Sequence, residues 1–196
     1  NNASSIAYAL TSDTEGLTWQ TNFLGISSIS GFNETAFVYC GNSNILGLIR
    51  RNENTLSLTN ILFQVRSSDN GFTWVQDGAV SLGIATPLRN PAGLYLYEGE
   101  SGRRIVLGYG NRTNNMVEIR EISLRRIWGS PSSWLSATLQ QFPLDPLCTL
   151  PGDGGYVSLA GGGISGDCVG AYYFSSTNNF SVPAQAEIRF FMRSVP

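Results

Sequence analysis

Glu34 and Arg50 stand 50 − 34 = 16 residues apart with two strand-forming runs between them. That spacing suits a β-hairpin returning both side chains to one end. A planar guanidinium grips a carboxylate in a two-pronged way that an ammonium cannot. Guanidinium is also the only cationic side chain here, because all 12 cations are arginines and the chain has neither lysine nor histidine. Serine–histidine hydrolysis, histidine-ligated zinc and Schiff-base lysine chemistry are therefore excluded. Carboxylates, phenols and thiols remain. A phenol, with an ordinary pKa of about 10, is a poor nucleophile unless a neighbouring carboxylate takes its proton. The three cysteines, Cys40, Cys148 and Cys168, lack the close-paired spacing of a zinc site. They allow at most one disulfide, and buried free thiols on strands are the plainer reading.

The elements that must position such residues are bounded by composition. With 196 residues and 42% hydrophobic content the chain can bury one sizeable core. Only 13% of residues are charged and the formal net charge is −2, which argues against nucleic acid as a partner. Surface polarity must come from uncharged groups, supplied by Asn, Ser, Thr and Gly in loops such as Gly41–Asn44 and Ser175–Asn179. This style fits an extracellular location, secreted or on a virion surface. No run approaches the roughly 20 apolar residues of a membrane span, so no membrane insertion is expected, and the first residues carry no export-signal pattern. Sequons at Asn2, Asn33, Asn111 and Asn179 agree with exposure, although an Asn-rich chain generates them readily. No cofactor signature is present; Gly161-Gly162-Gly163 reads as a hairpin turn because no helix follows it.

Period-2 alternation recurs in short runs, and no window of helical length carries an apolar stripe. Strands are predicted at Ile6–Thr11, Thr35–Cys40, Ile45–Arg50, Ile61–Ser67, Thr73–Gln76, Gly93–Tyr97, Arg104–Tyr109, Met116–Ser123, Tyr156–Ala160, Cys168–Phe174 and Glu187–Arg193. A short helix is expected at Trp134–Gln141. The longer, Pro-containing connections at Ala85–Pro91 and Pro143–Gly155 divide the strands into sets of roughly 40–50 residues, the length of a propeller blade. The first and last sets are partial, and a closure between them is expected to make one shared blade. The count is then about three to four four-stranded blades, fewer than most propellers have, so this all-β chain is expected to be an incomplete propeller.

One motif is specific. Ser67-Ser68-Asp69-Asn70-Gly71-Phe72-Thr73-Trp74 matches the Asp box, S-x-D-x-G-x-T-W, at every specified position. The carboxylate of Asp69 suits capping of a tight turn, Gly71 a positive φ, and Trp74 an anchor between strands, while Ser67 and Thr73 complete the pattern. Ser12-Asp13-Thr14-Glu15-Gly16-Leu17-Thr18-Trp19 reads as a degenerate copy with one extra residue between Asp13 and Gly16.

On these residues the chain resembles the C-terminal half of sialidases and their Asp-box (BNR-repeat) relatives. Phe32-Asn33-Glu34 through Leu48-Ile49-Arg50-Arg51 is similar to the family segment in which a Glu precedes a hairpin ending in an Arg. Leu107 to Arg112, followed by Glu118 to Ser123, resembles the strand pair supplying another ligand-facing Arg. Asp153 to Leu159, followed by Val169 to Tyr173, resembles the final blade, whose leading Tyr is the nucleophile of true sialidases. The resemblance implies Tyr156 and Glu34 as a nucleophile–base pair, consistent with the Tyr-nucleophile exception among glycosidases. It implies Arg50 or Arg51, together with Arg112, as members of a clamp on the carboxylate of an acidic sugar, with Arg120 as the substitute for Arg112.

Each residue also has a plainer reading. Arg50 and Arg51 fit a solvated strand end, Arg112 an exposed turn, Tyr156 a packed strand start and Glu34 a polar residue before a strand. Two departures from the family bear on activity. The acid/base Asp and first clamp Arg belong to the family's N-terminal half, for which this chain shows no equivalent, and Tyr172-Tyr173-Phe174 stands where the family often has Tyr-Glu. The expected function is recognition, and in a complete ring hydrolysis, of a terminal acidic sugar. The alternative is a non-catalytic receptor- or carbohydrate-binding module, such as a viral or phage fibre domain. Either requires a missing N-terminal half or a homo-oligomer to complete the propeller.

Overall fold

The structure, a computed structural model, describes residues 5–28, 32–53, 59–83, 92–111, 114, 116–143, 153–161, 167–175 and 186–193. Its strands form four antiparallel sheets in chain order. The first sheet pairs β1 (Ser5–Thr11) with β2 (Gln20–Ser28). The second runs β3 (Phe32–Gly41), β4 (Asn44–Glu53), β5 (Thr59–Ser67) and β6 (Val75–Ala79), each strand pairing with the next. The third repeats this with β7 (Gly93–Gly99), β8 (Gly102–Asn111), β9 (Met116–Ser123) and β10 (Thr138–Pro143). The last contains β11 (Asp153–Gly161), β12 (Cys168–Ser175) and β13 (Ala186–Arg193).

Strand alternation sends each sheet's side chains into two cores, one per neighbouring sheet. On β8, Ile105, Leu107 and Tyr109 face the second sheet and join Leu46, Leu48 and Leu62 in one buried cluster. Val106 points the other way, into a cluster with Val117, Ile119, Val157 and Tyr172 of the third and last sheets. Ala9 and Leu24 meet Ile49 and Val65 between the first and second sheets. Fully burying such an aliphatic side chain contributes roughly 1.5–3 kcal/mol.

The Ser67–Trp74 turn behaves as its residue types require. Asp69 Oδ1 accepts the Thr73 N–H at 2.8 Å, Oδ2 accepts the Thr73 hydroxyl at 2.5 Å, and Ser67 Oγ accepts the Gly71 N–H at 2.8 Å. Gly71 has φ +89, and Trp74 packs its ring 5.3 Å from Phe37 of β3. The Ser12–Trp19 turn corrects the sequence reading, since no residue is inserted. Ser12 Oγ accepts the Gly16 N–H at 2.8 Å as Ser67 does from Gly71, and Thr14 Oγ1 accepts the Thr18 N–H at 2.8 Å as Asp69 does from Thr73. The left-handed pairs also match, Glu15 and Gly16 at φ 53 and 87 against Asn70 and Gly71 at 61 and 89. A threonine has replaced the carboxylate, and Asp13 occupies the place of Ser68.

Three other expectations change. The predicted helix Trp134–Gln141 is a 3-10 turn, Pro131–Ser136, followed by β10 from Thr138. Pairing of Thr138 with Glu121 onward to Pro143 with Met116 overrides the weak local preference of a mostly exposed edge. This segment, with the short helix α1 (Leu124–Ile127), clips the second sheet to the third: Gln64 donates to the Ile127 carbonyl at 2.9 Å and accepts from Trp134 Nε1 at 3.1 Å. The partial first and last sheets do not pair with each other among the described residues, and their two and three strands total more than one four-stranded blade. Of the sequons, Asn111 is buried and donates to Glu118 Oε1 at 2.9 Å, so that asparagine is a structural residue; Asn2 and Asn179 lie outside the described residues. Cys40 and Cys168 are free and buried, Cys148 lies outside the described residues, and β11 pairs antiparallel with β12 from Gly161, while Gly162 and Gly163 of the expected turn lie outside the described residues. Among the described residues no helix is long and apolar enough to cross a membrane.

Candidate active site

Glu34 and Tyr156 both sit where the register of the first strand of a sheet slips against the second. Phe32 pairs with Arg51 and Thr35 with Ile49, so Asn33 and Glu34 share the single position opposite Arg50. Gly154 pairs with Phe174 and Val157 with Tyr172, so Gly155 and Tyr156 share the position opposite Tyr173. A two-against-one bulge re-aims the extra side chain away from the regular faces of the sheet. Here both bulges deliver their side chains to one place: Tyr156 Oη lies 3.5 Å from Glu34 Oε1, at the outer limit of a hydrogen bond. Arg50 Nη1 donates to both carboxylate oxygens of Glu34, at 3.2 and 3.0 Å.

Alternation decides between the two adjacent arginines. Arg50 lies on the β4 face shared with Leu46 and Leu48, toward the third sheet and the Tyr156 side. Arg51 lies on the opposite face, its guanidinium carbon 5.3 Å from the centroid of the Phe63 ring. The side chain of Arg50 is 15% exposed and that of Glu34 40%. Tyr156 is 43% exposed, so a ligand can reach all three. The Nε of Arg50 is buried with no hydrogen-bond partner among the described residues.

The remaining candidates are elsewhere. Arg112 lies outside the described residues. Arg120 is no surface cation. It is 5% exposed, and its Nε, Nη1 and Nη2 donate to Tyr109 Oη at 2.7 Å, the Trp134 carbonyl at 3.2 Å and the Leu82 carbonyl at 2.7 Å. Tyr109 in turn donates to Glu118 at 2.5 Å, and burial, aided by the Glu118 carboxylate, pushes its phenol well above the ordinary range. This buried Arg–Tyr–Glu chain ties the third sheet to the segment that follows the second through the Leu82 carbonyl. Its legible signal is spacing alone, because Glu118 and Arg120 share one strand face with Tyr109 opposite Glu118.

No family model matches the sequence, and no curated protein matches it. Solved structures do. A Dyadobacter fermentans protein of unknown function superposes with a TM-score of 0.60 at 17% identity over 95% of this chain and 49% of that one. The NanB sialidase of Streptococcus pneumoniae gives 0.58 at 16% identity over 91% of this chain and 25% of its own. A mutant of Trypanosoma rangeli sialidase displaying trans-sialidase activity gives 0.57 at 15% identity, over 88% and 25%. The chain thus spans half or less of the structures it matches. Its fold is that of sialidase-like β-propeller blades.

Proposed function

We propose that this chain is the glycan-recognising part of a sialidase-like propeller, binding the carboxylate of a terminal acidic sugar through Arg50 with Tyr156 and Glu34 beside the reacting carbon. The observation that carries the reading is the meeting of Glu34, Arg50 and Tyr156, drawn from two sheets and 156 − 34 = 122 residues of chain, at two register slips. Arg50 swings from Glu34 to the ligand carboxylate, a charge-assisted pair of the strong class. Freed of the guanidinium, Glu34 takes the Tyr156 proton as the phenolate oxygen bonds to the anomeric carbon and the glycosidic C–O bond breaks. The departing alcohol needs a proton from a general acid supplied by the remaining blades. The isolated chain is therefore a binder first, and an activated aryl sialoside, whose phenolate leaves without that proton, is the substrate on which the pair shows itself.

Calorimetry with N-acetylneuraminic acid and turnover of a 4-methylumbelliferyl sialoside test this. Saturable binding is expected, weakened at least tenfold in Arg50→Ala, which corresponds to about 1.4 kcal/mol, and little changed in Tyr156→Phe. Slow release of the fluorophore, abolished in Tyr156→Phe, adds the enzyme reading; its absence with binding intact leaves a lectin-like module. Absence of saturable binding, or binding indifferent to Arg50→Ala, overturns the proposal.

A further inference from the structure

We propose a second ligand site at the opposite end of the blades, built to take a small sugar acid. A cavity of about 500 Å³ opens between the β3–β4 hairpin, the β7–β8 hairpin and α1. That volume lies within the range of small-molecule sites. Glu34 lies near the start of β3 and Cys40 near its end, and six residues of extended strand separate them by roughly 20 Å. A ligand in this cavity therefore touches neither Tyr156 nor Arg50, and the inference stands independently of the first site.

Two guanidiniums line the cavity, Arg103 and Arg125, and no carboxylate does. Arg103 is held in place: its Nε donates to Glu98 at 2.6 Å and its Nη1 to the Cys40 carbonyl at 2.5 Å. A Cβ on Gly41 would lie 2.6 Å from that Nη1, and with φ at +78 glycine is the residue that admits both the turn and the guanidinium. The ion pair to Glu98 offsets one charge at the rim, and among the described residues the Arg103 Nη2 donors have no hydrogen-bond partner. Arg125 is exposed and has no ion pair among the described residues. Two guanidinium forks on one cavity, one held by Glu98 and the Cys40 carbonyl and one exposed, are suited to a carboxylate.

The rest of the lining selects a sugar over a bare anion. Trp128, half-buried, lines the cavity, and the Arg66 guanidinium lies 5.7 Å from its ring centroid, already paired with Asp77 at 2.8 Å. Asn44, Ser101 and Ser123 supply short donors and acceptors around the same space. An aromatic surface with scattered hydroxyl and amide groups fits a pyranose ring, apolar on its face and hydroxylated on its edge.

The test uses the whole chain carrying Arg50→Ala, so that the first site is weakened and what remains is assigned by its dependence on Arg125, and titrates glucuronate, glucose and inorganic phosphate by ligand-observed NMR and calorimetry. Saturable glucuronate binding is expected, at least tenfold tighter than glucose or phosphate, and weakened at least tenfold by Arg125→Ala. Arg126→Ala, an equally exposed change in the same helix but outside the lining, should leave it unaltered. Trp128→Phe should retain most of the affinity and Trp128→Ser should lose it. No saturable glucuronate binding, equal binding of phosphate, or insensitivity to Arg125→Ala each overturns the proposal.

Discussion

Glu34, Arg50 and Tyr156 illustrate how far side-chain chemistry can be read before coordinates. The hairpin spacing places Glu34 and Arg50 at one end, but it cannot choose between Arg50 and Arg51, because adjacent residues on a strand point to opposite faces and only the register settles which faces the site. Arg120, expected as the substitute for Arg112 in a ligand clamp, is instead buried, since nothing in a lone sequence tells that a strand arginine spends its donors on Tyr109 and two buried carbonyls. At Asp69 the residue types suffice, and they carry a prediction. Bonds from the Thr73 hydroxyl, then the Thr73 amide, hold its carboxyl below the ordinary 3.8. A folded value below the unfolded one stabilises the protein fully above about pH 4, and that contribution is lost as the pH falls through the depressed folded value. Asp69→Asn should therefore flatten the acid limb of a melting-temperature profile below about pH 4. Asp69→Ala should lower stability at neutral pH by about 1–2 kcal/mol, as loss of a turn-capping group does.

Elements were legible wherever punctuation and period agreed. Strand positions followed the alternation except at β2 (Gln20–Ser28), where no strand was expected, and the Ser67–Trp74 turn followed its motif. The Ser12–Trp19 turn differs by one position from its sequence reading, because Thr14, not the neighbouring Asp13, accepts the Thr18 N–H. The 3-10 turn and β10 were hidden since their shape is set by the neighbouring β9 ladder and by burial of Trp134, both nonlocal. The bulges were equally invisible, and they are what bring the site together. Their placement depends on how closely β11 approaches the third sheet: a Cβ on Gly93 would lie 2.7 Å from the Val157 carbonyl oxygen. Gly93→Ala must displace β11 one residue from Tyr156. Its expected outcome is at least a tenfold loss of acidic-sugar affinity with far-ultraviolet circular dichroism unchanged, and unchanged affinity would mean that β11 does not set the site.

For the whole molecule, both terminal sheets present apolar rows to solvent. Ile188, Phe190 and Met192 are 69%, 72% and 68% exposed on one face of β13, while Phe191 turns inward against Phe142. At the other end Tyr8, Leu10 and Phe23 are 54%, 64% and 51% exposed. Between sheets inside the chain such rows are covered, so these outer ones are the faces against which further blades pack if the ring is completed. Left uncovered, they should make the isolated 21.2 kDa chain associate with itself as concentration rises, and Phe190→Glu should shift it to monomer in light scattering. A single 21.2 kDa species at every concentration would show that these rows hold no such adhesive strength.

The two described cysteines carry this further. Burial pushes the thiols of Cys40 and Cys168 up to about 11, so at neutral pH both are shielded and protonated. One belongs to the second sheet and the other to the last, which makes them built-in clocks: the rate at which each becomes alkylated times the breathing of its own blade. Blades that come apart one by one would tick at two speeds, and blades that let go together at one.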